Sequence, residues 1–442
     1  MADKTHPLAR ARIACGMTGV DLAREIRGAA ERRGLRSGVD KQRVHKWETQ
    51  GVTPDADSQT YIAEVLEVPA GAVDPQSWPN WLPGVGGMVI PLGPASPVPA
   101  LREAQRTTME RSSRRTFLTA ISGSALVTLA STWASTDTWA LPGETPHGTK
   151  AVGEELVALL EKTGASLTVQ ATEQRQYTAP LVDALLTSVT NIIEGSRYNR
   201  PVKLRLHALA ASLSQTVGWH RFDYGLHAEA SQYWIAGLHS AHTGGDRDMG
   251  AALLGDLAYQ ASWRDDPRTA ADILERALSG TRHPAARSLL HLRLARALAA
   301  QGERRATLRA LAAAERLLDA SSGEPVPSWC AWMSQADLAV DSGQALLDLG
   351  DTRRAHQLIR QGKELLPPSR DKTRGVFLAY EARGHLDQGE PERAATAALA
   401  ALQVAHRIGA PRCVGLVQGL VPRFEAHSSV EGVPELLALA AA

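Results

Sequence analysis

The chain has 442 residues, a formal net charge of +1, 5% aromatic residues and three cysteines. That length suits two or three domains, and the near-zero charge gives no global pull toward nucleic acid or an anionic membrane. Cys15, Cys330 and Cys413 form no Cys-x-x-Cys pair, so neither a zinc centre nor a disulfide framework is suggested, and a reducing cytoplasm fits.

Ala, Leu and Arg abound and period-two runs of Val and Ile are scarce, which predicts an all-α protein. The first clear elements fall within residues 18–69. Thr18 caps a helix whose Leu22, Ala23 and Ile26 face inward; it continues through Ala29-Ala30 to Gly34, with a loop beyond. Arg27, Arg32, Arg33 and Arg36 lie along this stretch. Next comes Val39-Asp-Lys-Gln-Arg-Val-His-Lys-Trp-Glu48, with Asp40 as N-cap and Val44 and Trp47 three apart on one face. Lys41, Gln42, Arg43, His45 and Lys46 are left for the other faces. Lys, Gln and Arg near a helix N-terminus are the side chains that reach base edges and phosphates in a major groove. Thr53-Pro54-Asp55 stops this helix, and Asp57 or Ser58 caps a further one carrying Ile62, Val65 and Leu66 and ended at Val68-Pro69. Charge is segregated: residues 1–50 hold eleven Lys/Arg against six Asp/Glu, whereas residues 51–80 hold five acids and no Lys or Arg. That polarity would orient the segment on a phosphate backbone. The plainer alternative is a solvated Arg-rich face with no partner.

This order resembles the XRE (Cro and lambda-repressor-like) helix-turn-helix family, in which a Thr/Ser-x-x-x-Leu-Ala helix precedes a Val-Ser/Asp-x-x-x-Val-x-x-Trp-Glu helix. The tail Trp78-Pro79-Asn80-Trp81-Leu82-Pro83 looks like the end of that domain in actinobacterial regulators, which places the domain at 1–83. The resemblance implies double-stranded DNA as partner, contacted by Thr18, Lys41, Gln42, Arg43, His45 and Lys46, and a homodimer on a two-fold site. The sequence departs from the family in one respect: Arg27–Gly38 stands where the turn is normally a few residues.

Residues 84–150 read as a connecting region. Gly84, Gly86, Gly87, Pro91, Pro94, Pro97 and Pro99 make 84–100 an irregular or extended linker. A basic segment, Leu101–Arg115, and an apolar one, Phe117–Ala134, follow. Ser113-Arg114-Arg115-Thr116-Phe117-Leu118 matches the pattern of a twin-arginine export signal. Its place behind a helix-turn-helix, and an apolar run short of about 20 residues, favour a helix that docks on the C-terminal domain. The expectation is a cytoplasmic protein without membrane contact.

Residues 151–442 read as paired helices. Ala285–Asp319 is the clearest unit, two Ala- and Leu-rich helices joined at Gly302-Glu303; Gly350-Asp351, Gly389-Glu390, Asp265-Asp266-Pro267 and Phe222–Gly225 mark similar turns. The intervals from 302 to 350 and from 350 to 389 are longer than the 34 residues of a tetratricopeptide unit and irregular. The segment resembles degenerate tetratricopeptide repeats, which implies an α-solenoid with a groove for a peptide, partner helix or small-molecule effector. Trp219, Tyr233, Tyr259, Trp263, Trp332 and Asp337 are the candidate ligand-binding residues, with Trp234, Trp329, Asp341 and Tyr380 beside them. Alternatively the aromatics are core and the acids solvated. Only three Asn, at 80, 191 and 199, weaken the peptide option.

No catalytic constellation is evident and no cofactor is implied. His239-x-x-His242 lacks a third ligand and reads as a solvated helix end. Gly84-x-Gly86-Gly87 has no following Lys-Ser/Thr, and no Gly-x-Ser-x-Gly is present. The leading expectation is a DNA-binding transcriptional regulator whose repeats dimerise or sense an effector. The alternative is a non-enzymatic interaction adaptor, membrane-associated through 114–134.

Overall fold

A computed structural model describes residues 6–14, 17–66, 68, 73, 75–79, 81–82, 89–110, 121, 123–136, 150–168, 175–320 and 325–441. These residues are helical nearly throughout, so the protein is all-α; the one exception is a parallel pairing of Lys150–Ala151 with Ser196–Arg197. The chain divides into two compact units. The first holds Met1–Thr168, Leu181–Gly218 and His227–Leu253; the second holds Val169–Pro180, Trp219–Leu226 and Leu254–Ala442.

The first unit opens with α1 (Pro7–Ala14), α2 (Gly19–Arg32), α3 (Lys41–Thr49) and α4 (Ala56–Val65). Leu22, Ile26, Val39, Val44, Trp47, Ile62, Leu66, Trp81 and Leu82 form their common core. After them come α5 (Pro97–Glu110), α6 (Gly123–Ser135), α7 (Glu154–Thr168), α8 (Arg175–Gly195), α9 (Arg200–Asp223), α10 (His227–Gly244) and α11 (Arg247–Trp263). A second core joins Leu101 and Ala104 of α5 to Val157, Leu186, Leu206, Leu213 and Tyr233.

Two sequence expectations change here. Residues 97–110, read as the end of a linker and the start of a basic segment, form α5, which packs along α10. Pro97 and Pro99 do not break it because the first-turn N–H groups of a helix have no intrahelical partner to lose. His239 and His242, read as solvated, are buried, because α10 is enclosed on nearly all sides. His239 Nδ1 lies 2.6 Å from Ser96 Oγ, and among the described residues no group of three potential ligands could hold a metal.

Leu126, Leu129, Ala130 and Trp133 of α6 are buried. Trp133 lies against Gly250, where a Cβ would approach its Nε1 to 2.6 Å. The Arg247 guanidinium stacks 4.3 Å above the same ring and donates to the carbonyls of Trp133 and Thr136 at 3.1 and 3.2 Å. The apolar face of α6 is thus spent on protein. Among the described residues no helix is long and apolar enough to cross a membrane. The Ser113–Leu118 motif lies outside the described residues.

The second unit continues with α12 (Pro267–Ala277), α13 (Pro284–Ala300), α14 (Arg304–Asp319), α15 (Gln335–Asp348), α16 (Thr352–Leu365), α17 (Asp371–Asp387), α18 (Pro391–Ile408), α19 (Pro411–Gln418), α20 (Val421–Glu425) and α21 (Val433–Ala440). One turn closes each hairpin. Gly302 donates to the Ala299 carbonyl at 2.9 Å and Glu303 to Leu298 at 3.0 Å; Gly350 and Asp351, then Gly389 and Glu390, repeat the pattern. The glycines sit at φ of 77°, 78° and 73°, which ends a helix by satisfying its last carbonyls. In the turn between α11 and α12 Asp265 takes that conformation instead, at φ 59°. The two helices of each hairpin pack together, and α13, α15, α17 and α19 pack in succession. Close approach needs small residues: a Cβ on Gly362 would come within 2.6 Å of the Ala336 carbonyl oxygen.

Candidate functional site

The N-terminal helices position one exposed row of polar side chains. Thr18 caps α2 in a capping box: Asp21 N–H donates to Thr18 Oγ1 at 3.2 Å, and Thr18 N–H donates to Asp21 Oδ2 at 3.0 Å. Hydrogen bonds from the Thr18 hydroxyl and backbone hold the Asp21 carboxyl below the usual carboxylate range. The helix runs to Arg32, with Arg33 as its C-cap, and closes at Gly34, φ 73°, with Gly34 and Leu35 donating to Glu31 and Ala30 at 2.9 Å. The long interval before α3 is therefore additional helix plus a loop, as the sequence predicts. Arg27 steadies that loop by donating to the Val39 carbonyl at 2.6 Å, and Arg32 and Arg33 both grip Glu64 at 2.8 Å.

Asp40 caps α3 through Arg43 N–H at 2.8 Å. Val44 and Trp47 are buried; burying two such side chains contributes roughly 3–6 kcal/mol. Lys41, Gln42, Arg43, His45 and Lys46 are all exposed. Arg43 lies 3.8 Å from Asp55, and among the described residues Lys41, His45 and Lys46 have no ion-pair partner. Thr18 is exposed, but its hydroxyl is committed to the cap. A Cβ on Gly19 would meet Lys41 Cγ at 3.9 Å, so the N-terminal ends of α2 and α3 lie side by side. Asp55, not Asp57 or Ser58, caps α4, accepting Ser58 N–H at 2.7 Å. Burial opposes its ionisation, but the Ser58 hydrogen bonds and nearby Arg43 outweigh that and hold its carboxyl low. α1 and its Arg12 are absent from the sequence reading. Arg12 pairs with Glu48 through two hydrogen bonds, 2.7 and 3.1 Å, and donates to the Met17 carbonyl at 2.8 Å, fastening α1 to the end of α3.

The six candidate ligand residues divide. Trp219, Tyr259 and Trp263 come together with Phe222, their ring centroids 5.5–5.7 Å apart along Trp219–Phe222, Trp219–Tyr259 and Phe222–Trp263. Tyr233 belongs instead to the core of the first unit. Asp337 is buried in the first turn of α15, where it accepts from the N–H of the capping residue Ser334 at 2.9 Å and two hydrogen bonds from Arg370 at 2.7 and 2.8 Å, so its carboxylate is already occupied. Trp332 is 45% exposed on a turn before α15.

The ring cluster carries three arginines that no sequence spacing marks. Arg293 pairs with Asp256 at 2.9 Å, and Asp256 also accepts Trp219 Nε1–H at 3.0 Å. Arg296 donates to Asp341 and to the Tyr380 hydroxyl, both at 3.1 Å. Arg412 sits 5.7–5.9 Å from the centroids of Trp219, Phe222, Tyr259 and Trp263. Burial, opposed by Arg296, pushes the Tyr380 hydroxyl above its ordinary range and disfavours its ionisation.

In comparison with known proteins, residues 8–73, spanning α1 to just beyond α4, match the SP15 N-terminal domain. No curated protein matches the chain.

Proposed function

We propose that the protein is a sequence-specific, DNA-binding transcriptional regulator of the XRE helix-turn-helix type. Its tetratricopeptide-like helical repeats mediate dimerisation, effector sensing or both. The observation that carries the reading is α3. One face, Val44 and Trp47, is buried, and the rest presents Lys41, Gln42, Arg43, His45 and Lys46 to solvent. A helix so anchored offers a cation-rich surface with no structural task of its own, the chemistry a major groove selects. The unshared charge is local, since Arg27, Arg32 and Arg33 are engaged within the fold. Repeated hairpins closed at glycine, with their first helices packed in succession, support the repeat reading.

The test is binding of the full chain to fragments of its own genome, followed by charge reversal at Arg43→Glu and Lys46→Glu. Both side chains are exposed, so the variants should keep the parent melting temperature. Specific affinity should fall by at least about tenfold each, and the parent's affinity should drop steeply with salt. Undiminished binding in both variants, or no duplex affinity at all, would favour the adaptor reading.

A further inference from the structure

α7 is apolar on two faces. Val157 and Gly164, seven apart, are buried, and Leu160 and Leu167 pack beside them on the core of the first unit. The opposite line, Glu155, Leu159, Lys162 and Ser166, is exposed, with Leu156 on its flank. Leu159 is 59% exposed and Leu156 41%. A lone leucine at the surface means nothing, but these two do not stand alone. α8 adjoins α7, since a Cβ on Gly164 would lie 3.6 Å from Leu185. From Leu181 to Thr190 the exposed positions of α8 are Leu181, Ala184, Thr187 and Ser188, and none is charged. Leu181 is 54% exposed.

The hydroxyls on these two helices make the surface cheap to dry. Thr163, Thr187 and Ser188 donate to the carbonyls of Leu159, Asp183 and Ala184, on their own helices, at 2.8, 2.9 and 2.9 Å. Their protons are already placed, so contact with another apolar surface strands no donor.

Charge tells what covers the face. Glu161 is taken by Arg205 at 2.6 and 2.9 Å, whereas among the described residues Glu155 and Lys162 have no ion-pair partner. Glu155 and Lys162 lie on one line, about 10 Å apart along the axis, with Ala158 and Leu159 midway. A two-fold axis crossing α7 between Ala158 and Leu159 would lay two copies of the helix antiparallel. Each Glu155 then faces the Lys162 of the other copy, and each Leu159 falls on the other's Ala158, which is small enough to let it in. The face is its own complement.

We propose that α7, flanked by α8, is the surface on which two copies of this chain pair, antiparallel across a two-fold axis. The proposal rests on the dimerisation named in the function above and moves it from the repeats to α7. Its test reads oligomeric state without DNA, so its failure is distinct from failure of the DNA-binding reading.

The full chain is measured by sedimentation velocity and light scattering at micromolar concentration. The parent should be a dimer, and Leu159→Glu should weaken it by about tenfold or more with the helical circular-dichroism signal unchanged. Glu155→Lys and Lys162→Glu should each weaken the dimer, and the double variant should restore it, because exchanging the two ends keeps each pair complementary. Should Leu159→Glu fail to fold, the charge variants are read alone. A monomeric parent, a dimer indifferent to these substitutions, or a double variant no tighter than the single ones would overturn it.

Discussion

Glu48 ties two helices through a single side chain. It is 9% exposed and accepts two hydrogen bonds from Arg12, which also holds the Met17 carbonyl. Glu48→Gln preserves shape but removes the charge and one acceptor. It should destabilise the N-terminal helices by about 2 kcal/mol, measured as a lower urea midpoint, with a trypsin-sensitive α1. An unchanged midpoint would mean that the pair contributes nothing net. Residue by residue, α3 was legible in advance because a cap and a three-residue apolar spacing are local signals. Arg12 was not, because its partner lies 36 positions away and an Arg in an Arg-rich stretch reads as surface. Arg412 was hidden for the same reason.

Among elements, helix ends were the readable part. Gly-acid pairs at 302, 350 and 389 mark each hairpin, since only a residue tolerant of positive φ closes the turn cheaply. α5 was concealed because its two prolines read as breakers when they stand in a first turn. Which hairpin faces meet could not be read, since Ala occurs on every side of these helices. α6 offers the sharpest test of packing at this scale. Gly250→Ala places a methyl group against the Trp133 ring, and overpacking of this kind costs about 1–3 kcal/mol. The variant should expose Trp133, seen as a red-shifted emission, and should be cut by chymotrypsin near residue 133 faster than the parent. Unaltered emission and cleavage would show that α6 yields without cost.

For the molecule as a whole, buried imidazoles set a pH response. Burial, with Lys203 adding to it at His207 and His242 at His239, pushes both pKa values down to about 3. In the unfolded chain the value is about 6.5. Between those values the unfolded chain holds more protons than the fold. Stability is therefore complete above about pH 6.5 and falls as pH drops toward 3, by up to about 1.4 kcal/mol per pH unit for each group. Melting curves should be level from pH 8 to 7 and move to lower temperature from pH 6 to 5; a level profile down to pH 5 would contradict neutral buried rings. Nothing in the sequence separates these His from the exposed ones, because His207 on α9 and His239 on α10 are buried by segments distant in sequence.

The seating of Trp133 between Gly250 and Arg247 also has a kinetic corollary. Lipid or a secretion apparatus that sought the greasy side of α6 would find it already taken. Capture would have to wait for spontaneous detachment of that helix, so its rate would saturate with the captor's concentration and climb steeply on warming, as opening reactions do.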